Sequence, residues 1–450
     1  MENIPSLSDI ISQQIAITEQ AFPVFVFVWD LFWAWGWIII PFLLWPVVSF
    51  QWIFWRNLMW ADNKNPSVLL EVRIPEEIEK PIRAMDVALT GVWQLYGPPN
   101  WFEKWWEGQF DFSFSLEIAC IEGVPHFLMR VPLKQRTLFE QHIYAQYPSA
   151  EIFEAEDYTT KVPQNIPNSR WEMWGTDYTV PKPGVTDCYP LKTYRDFETE
   201  QEDSEEKKID PIVALLEAFS MLGEGEQIWL QIKAKPVTDA ESKFQTRAKK
   251  LYEKLVGRKE KPPPMPLLYQ ITNTLTGFPR APEGGGGDEI YPSEMKLTPG
   301  ERAAVESIEK KRTKHTFECF IRYIYLARKE KLNMSRIKGP MSYFNQFSNP
   351  GLGMIIPYGK TITKVKRNWW DFFWMLDKRL YLRKRRMFRN YVRRENAYFP
   401  LGDEGDTFIL GSDELASLYH FPSKGSAPSS VIPRVETRRK EAPHNLPVEE

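Results

Sequence analysis

The longest apolar stretch in the chain runs from Leu31 to Trp55 (LFWAWGWIIIPFLLWPVVSFQWIFW), and no charged residue interrupts it. As a helix it would extend roughly 37 Å, more than the hydrocarbon core of a bilayer. The pattern therefore predicts one membrane span with an interfacial lead-in over 21–58, after a short extracytoplasmic N-terminus over 1–20. Trp29, Trp33, Trp35 and Trp37 at one end, and Trp52 and Trp55 at the other, fit the aromatic belts found at headgroup level. Asp30 reads as a solvated interfacial acid. The residues before the span carry acids and no Lys or Arg, whereas Arg56 and Lys64 follow it at once. The positive-inside rule then places the N-terminus outside and the body after Arg56 in the cytoplasm, as a single-pass protein of the cell (inner) membrane. A cleaved signal peptide would start basic and end in small residues, and this stretch does neither.

Beyond the apolar stretch the periods alternate between two and three to four. Val68 to Ile74 alternates as a strand, and Ile78, Ile82, Met85, Leu89 and Val92 are spaced as one face of a helix. Ser115 to Ile121 and His126 to Val131 form a hairpin pattern about Glu122 and Gly123. A helix over about Leu133 to Tyr147 and a strand at Glu151 to Ala155 complete a β-α-β-β-α-β order, the ferredoxin-like plan, over 66–160. The next segment, 161–187, is rich in Pro, Asn and Thr and reads as a linker. A second α+β unit over 188–360 is predicted from a helix at Pro211 to Leu222, a strand face at Ile228, Leu230, Ile232 and Ala234, and a helical stripe at Phe244, Ala248, Leu251 and Leu255. It continues past a Pro- and Gly-rich insertion over 258–297 into a capping box at Thr298 to Glu301 and the strand Phe317 to Ala327. The predicted fold is α+β: one N-terminal transmembrane helix, then two ferredoxin-like units with inserted loops, then a basic amphipathic helix over 361–399 and a C-terminal junction and tail over 400–450.

Composition narrows the chemistry. The formal net charge of −2 means that any basic surface must be regional. Cys120, Cys188 and Cys319 are far apart, and the five histidines show no ligand spacing, which argues against a disulfide framework or a zinc site. No acidic dyad, Ser-His-Asp spacing or nucleophile elbow stands out. No catalytic residue, metal or cofactor is predicted.

One segment imitates a phosphate-binding loop. Gly353 to Thr361 (GMIIPYGKT) ends in Gly-Lys-Thr, but its spacing is off by one, and Ile355, Ile356, Pro357 and Tyr358 fill the space where phosphate-binding loops keep small residues. An ordinary buried loop is expected. The segment Lys364 to Arg394 is more unusual, with an aromatic block leading into a dense basic helix. Lys378, Arg379, Arg383, Lys384, Arg385, Arg386, Arg389, Arg393 and Arg394 are its candidate contacts. Three readings stay open: an interfacial helix on anionic lipid with Trp369, Trp370, Phe373 and Trp374 inserted, a sequence-independent nucleic-acid contact, or a solvated face packed on the body.

Several runs carry a family resemblance. LLEVRIPEEIEKPIRAMDVALTGVW, SLEIACIEGVPHFLMRVP and EQHIYAQYPSAEIFEAEDYT, with LTPGERAAVESIEKK, FECFIRYIYLA and ILGSDELASLYHFPS, resemble the membrane-anchored region that precedes HerA/FtsK or coupling-protein type ATPases of type IV secretion and conjugation in small-genome bacteria. ATPase-fused members would continue past Pro447 into a strand and a true phosphate loop. This chain stops at Glu450, so no catalytic residue carries over. The resemblance implies a non-catalytic, membrane-anchored scaffold that positions a DNA-translocating ATPase encoded separately, with Leu415, Leu418, Tyr419, Phe421 and Pro422 as docking residues. The rival reading of those five is a short helix and a Pro stop packed on the body. The implied partners are the lipid bilayer, the ATPase on another chain, DNA and further copies of this chain. The alternative function is a membrane-surface protein that binds nucleic acid or anionic lipid through 364–394.

Overall fold

The computed structural model describes residues 7–75, 81–197, 210–256, 297–349, 351–366, 373–396 and 407–422. The chain divides into two compact units, one made of 1–64 with 99–110 and one made of 65–98 with 111–450.

In the first unit a single long helix, α1 (Leu7–Asn63), is joined by a π-helical turn at Glu103–Glu107. Asn100 and Glu103 cap that turn reciprocally, each backbone N–H donating to the other side chain at 2.8 and 3.0 Å. The Trp52 indole donates to the Trp105 carbonyl at 2.9 Å, and the Arg56 guanidinium to that of Trp106. Gly108, at φ 75°, ends the turn where a Cβ would meet the Arg56 carbonyl at 2.3 Å, so only glycine fits there.

The expected transmembrane span is overturned. No helix among the described residues is long and apolar enough to cross a membrane. Freedom from charge is not the same as apolarity: Leu31 to Trp55 holds six tryptophans, two prolines, Ser49 and Gln51, and each indole brings a polar N–H. The single-pass topology, the outside N-terminus and the cell-membrane location inferred from that span fall with it. Trp29, Trp33 and Trp35 are 53–68% exposed along α1. Trp52 and Trp55 stack on each other, with ring centroids 5.7 Å apart. The side chain of Trp37 lies outside the described residues.

The second unit is built on one antiparallel sheet of nine strands: β1 (Ser67–Arg73), β2 (Phe114–Ile121), β3 (Val124–Pro132), β4 (Glu151–Glu154), β5 (Trp171–Thr179), β6 (Glu226–Val237), β7 (Thr316–Arg328), β8 (Ile356–Pro357) and β9 (Phe408–Gly411). The order across the sheet is β4-β1-β3-β2-β6-β7-β5-β8, with β9 beside the start of β7. Two separate ferredoxin-like units are therefore not what forms. An isolated β4-β1-β3-β2 sheet would leave β2 as a bare edge. Instead β2 pairs along its whole length with β6, from Phe114↔Ala234 to Ile121↔Gln227, and the two predicted units become one sheet. The segment predicted as a linker also changes character, because 161–187 contains β5, which pairs with β7 from Trp171↔Arg328 to Tyr178↔Ile321.

Helices cover both faces. On one face, α2 (Arg83–Trp93), α3 (Arg136–Gln146), α4 (Ile212–Ser220), α7 (Lys338–Gln346) and α9 (Ser412–Leu418) contribute Met85, Leu89, Phe139, Leu216, Phe344 and Leu415 to the largest core. A smaller cluster joins α5 (Phe244–Val256) and α6 (Pro299–Arg312) through Phe244, Ala248 and Ile308. The predicted capping box at the start of α6 is present, with the Thr298 side chain accepting from the Glu301 N–H. The opposite face is covered by α8 (Phe373–Arg393), which seats Met387, Phe388 and Tyr391 on Trp229, Ile324 and Tyr158. The insertion over 258–297 lies almost entirely outside the described residues, as do Trp369 and Trp370 and the side chains of Phe373 and Trp374.

Candidate functional site

The sheet under α8 carries a row of polar residues in cross-strand register: Glu117 on β2 faces Gln231 on β6, Gln231 faces Arg322 on β7, and Arg322 faces Asp177 on β5. All four are essentially buried. Each sits within a strand of otherwise largely apolar side chains, and a charge in such a place persists only with a partner.

At one end of the row the partner is Arg394, the residue that follows α8, held at φ 56°. Its five N–H donors all find acceptors. Nε and Nη2 donate to the two Glu117 oxygens at 3.0 and 3.1 Å, both Nη groups donate to Asp157, and Nη1 also donates to the Val392 carbonyl. Glu117 accepts further bonds from Ser115, Tyr158 and Gln231 at 2.7–2.9 Å. Burial by itself would raise the Glu117 carboxyl, but the Arg394 charge and these hydrogen bonds outweigh it and hold the group below the ordinary carboxylate range. Asp157 is lowered by the same balance. The Tyr391 hydroxyl lies 2.7 Å from that of Tyr158, which ties the last turn of α8 to the same knot.

At the other end, Arg322 donates from Nε to Asp177 at 2.6 Å and from Nη1 to the Glu395 carbonyl at 3.0 Å. Its Nη2 is buried without an acceptor. Here the sheet, the loop after β8 and α8 border a half-open cleft of about 280 Å³, lined by Asp177, Arg322, Lys360, Thr361, Arg379, Arg383 and Arg386 among others. The loop is fixed as an extra edge on β5. The Thr363 N–H donates to the Gly175 carbonyl at 2.9 Å, and the Gly175 N–H donates to Thr363 Oγ1 at 2.8 Å. Gly175 also lets α8 approach, since a Cβ there would come within 2.6 Å of the Met387 sulfur. The near-motif Gly353 to Thr361 thus forms no phosphate-binding loop between strand and helix, because Ile356 and Pro357 pair with β5. Its last two residues, Lys360 and Thr361, nevertheless reach a cationic cavity.

The nine basic residues predicted from the sequence divide into three groups. Arg394 is buried in the knot. Lys384 pairs with Glu172 at 2.8 Å, and Arg383 donates to the Ile362 carbonyl at 3.0 Å while also lining the cavity with Arg379. Lys378, Arg385, Arg386, Arg389 and Arg393 are exposed. At about 100° per residue these five occupy an arc of about 100°, opposite the buried arc of Met387, Tyr391 and Phe388, and they extend about 22 Å along the axis. No carboxylate of α8 lies within that arc, Asp377 being on the flank.

The docking residues are placed inward. Leu415, Leu418 and Tyr419 are fully buried and Phe421 is 5% exposed, packed against Phe127 and Tyr147 at ring distances of 5.5 and 5.2 Å. Four of the five thus present no surface to a partner, and Pro422 is only half-buried. Sequence reasoning missed Glu117, Asp177 and Arg322. The available signal was Glu117 as the one charge of β2 and Arg322 amid the apolar run of β7. Among the described residues no group of His, Cys, Asp or Glu is placed to hold a metal ion.

No curated protein matches this chain. A family described as a domain of unknown function, DUF8128, matches residues 112–430, which begin just before β2 and include β6, β7, β5, the polar row and α8. With well over half its length matched, the chain belongs to the DUF8128 family.

Proposed function

We propose that this protein is a binding protein that holds the phosphate backbone of a nucleic acid on the outer arc of α8, without sequence preference. The observation that carries this reading is the five exposed cations in one arc over a fixed seat, with Glu395, 3.9 Å from Arg393 at the far end, the acid that pairs with one of them. Such a stripe gains affinity by neutralising phosphates and releasing their counterions. A lipid-bound helix needs a free apolar face to insert. The apolar face of α8 is packed on the sheet, and Tyr381 and Leu382 are its large exposed apolar side chains among the described residues. This favours nucleic acid over anionic lipid. A separately encoded DNA-translocating ATPase, the partner implied by the family resemblance, would extend the reading, but the buried Leu415, Leu418 and Tyr419 offer it no docking surface.

The test is fluorescence anisotropy on a short labelled duplex, titrated across salt. Five phosphate contacts give a slope of log affinity against log salt of about −4 to −5. The double variant Arg385→Glu/Arg389→Glu, folded by circular dichroism, is expected to bind at least about tenfold more weakly. Unchanged affinity in that variant, or binding to phosphatidylserine vesicles with none to duplex, overturns the proposal.

A further inference from the structure

We infer that the outer arc of α8 takes a single strand in preference to a duplex, with Tyr381 as the platform on which an unpaired base stacks. This rests on the proposed grip of the arc on phosphates and adds the form of nucleic acid it takes.

Three observations converge. Tyr381 and Leu382 are adjacent and 44% and 54% exposed, on a helix that seats Met387, Phe388 and Tyr391 on the sheet. The Tyr391 hydroxyl is held 2.7 Å from that of Tyr158, whereas Tyr381 makes no hydrogen bond or ring contact among the described residues. Because the helix beneath is fixed, a base that covers the Tyr381 ring orders one side chain and little else. Second, Tyr381 stands three residues after Lys378 and four before Arg385, the spacing of neighbours along a helix, and both cations are exposed. At about 100° per residue it lies about 40° outside the arc on the Arg385 side, and Leu382 falls inside the arc, about 20° from Arg389. A backbone held by Lys378 and Arg385 therefore brings its bases to the ring between them. Third, the chemistry separates the two forms. The bases of a duplex are stacked on one another, so a ring beside the backbone meets sugar and phosphate, while an unpaired base offers a free face. Stacking tolerates any sequence because every base has a π-face, which suits an arc that grips phosphates.

The experiment is fluorescence anisotropy of the full chain with labelled oligo-dT, oligo-rU and a duplex of equal length, each titrated across salt. The single strands are expected to bind at least about tenfold tighter than the duplex. Their slope of log affinity against log salt is expected near about −3.5 for five phosphates, shallower than that of the duplex. Tyr381 is exposed, and Tyr381→Ala is expected to cost about tenfold with the single strands and nothing with the duplex. Tyr381→Phe keeps the ring and is expected to bind as the wild type does. Tighter binding of one oligomer assigns the sugar, and equal binding assigns a strand of either kind. Single strands bound no tighter than duplex, an equal loss on both forms in Tyr381→Ala, or no loss in that variant overturns the inference and leaves the grip on phosphates standing. Binding to neither form, or to phosphatidylserine vesicles alone, overturns both. The two are separable because Arg385→Glu/Arg389→Glu weakens both forms, and Tyr381→Ala weakens the single strands alone.

Discussion

The two ends of the polar row under α8 use the same chemistry in opposite ways. At the Glu117 end, an arginine with every N–H engaged meets two carboxylates, with tyrosine, serine and glutamine filling the remaining lone pairs. At the Asp177 end, an arginine with no exposed surface meets one carboxylate and one carbonyl and keeps a donor unmatched. A fully satisfied buried network rigidifies the core, and a partly satisfied one carries the cost of its unmatched donor. Both lie beneath one helix, and the knot anchors its last turn through Tyr391.

The largest effect expected is at the closed end. Arg394→Ala leaves Glu117 buried and unpaired, and breaking a buried pair from one side costs about 3–5 kcal/mol. Urea unfolding of the variant measures it. A loss under about 1 kcal/mol would show that the knot is no firmer than a solvated ion pair, and the contrast with Arg322 would lose its basis.

Protonation probes the same end more gently. The Glu117 and Asp157 carboxyls are held below their ordinary range in the folded protein. A lowered carboxylate stabilises the fold above its unfolded pKa, and that contribution is lost as pH falls through the folded pKa. Stability should therefore decline as pH drops below the ordinary carboxylate range. Asp413 and Glu414 act in the opposite sense, because burial raises both carboxyls, so their protonation favours the folded state as pH falls. Glu117→Gln should lower urea stability at neutral pH and flatten the acid-side decline. An acid limb as steep as that of the wild type would assign the decline to carboxylates outside the knot.

How much of this was legible follows from what each residue faces. The strands at Val68 to Ile74 and Phe317 to Ala327 and the capped helix from Thr298 were readable because period and capping are local signals, and they form as β1, β7 and α6. β5 was not, since Gly175, Thr176 and Asp177 resemble a turn unless it is known that Gly175 admits Met387 and Asp177 meets Arg322. Pairing of β2 with β6 joins residues more than a hundred apart, which no local pattern encodes. The basic stripe was visible as composition. Its division into buried, paired and exposed cations depends on which side of α8 meets the sheet, and Arg394 shows how a residue at the end of a charged run can belong to the core.

The smallest effect expected tests whether burial, and not ion pairing as such, separates these sites. Lys384 and Glu172 meet at 2.8 Å on the flank of α8, with side chains 14% and 23% exposed. Water reaches both groups, so their Coulomb gain is screened and offset by the entropy of ordering a long side chain. Lys384→Met keeps the aliphatic stem against the sheet and removes only the charge. The expected loss is about 0.5–1 kcal/mol, measurable as a small shift in urea midpoint at constant slope, with duplex binding unchanged. If this exchange costs as much as Arg394→Ala, every ion pair beneath α8 acts as an anchor and the satisfied knot has no special standing. If it costs little, the hold on α8 comes from Arg394, whose five donors are all matched.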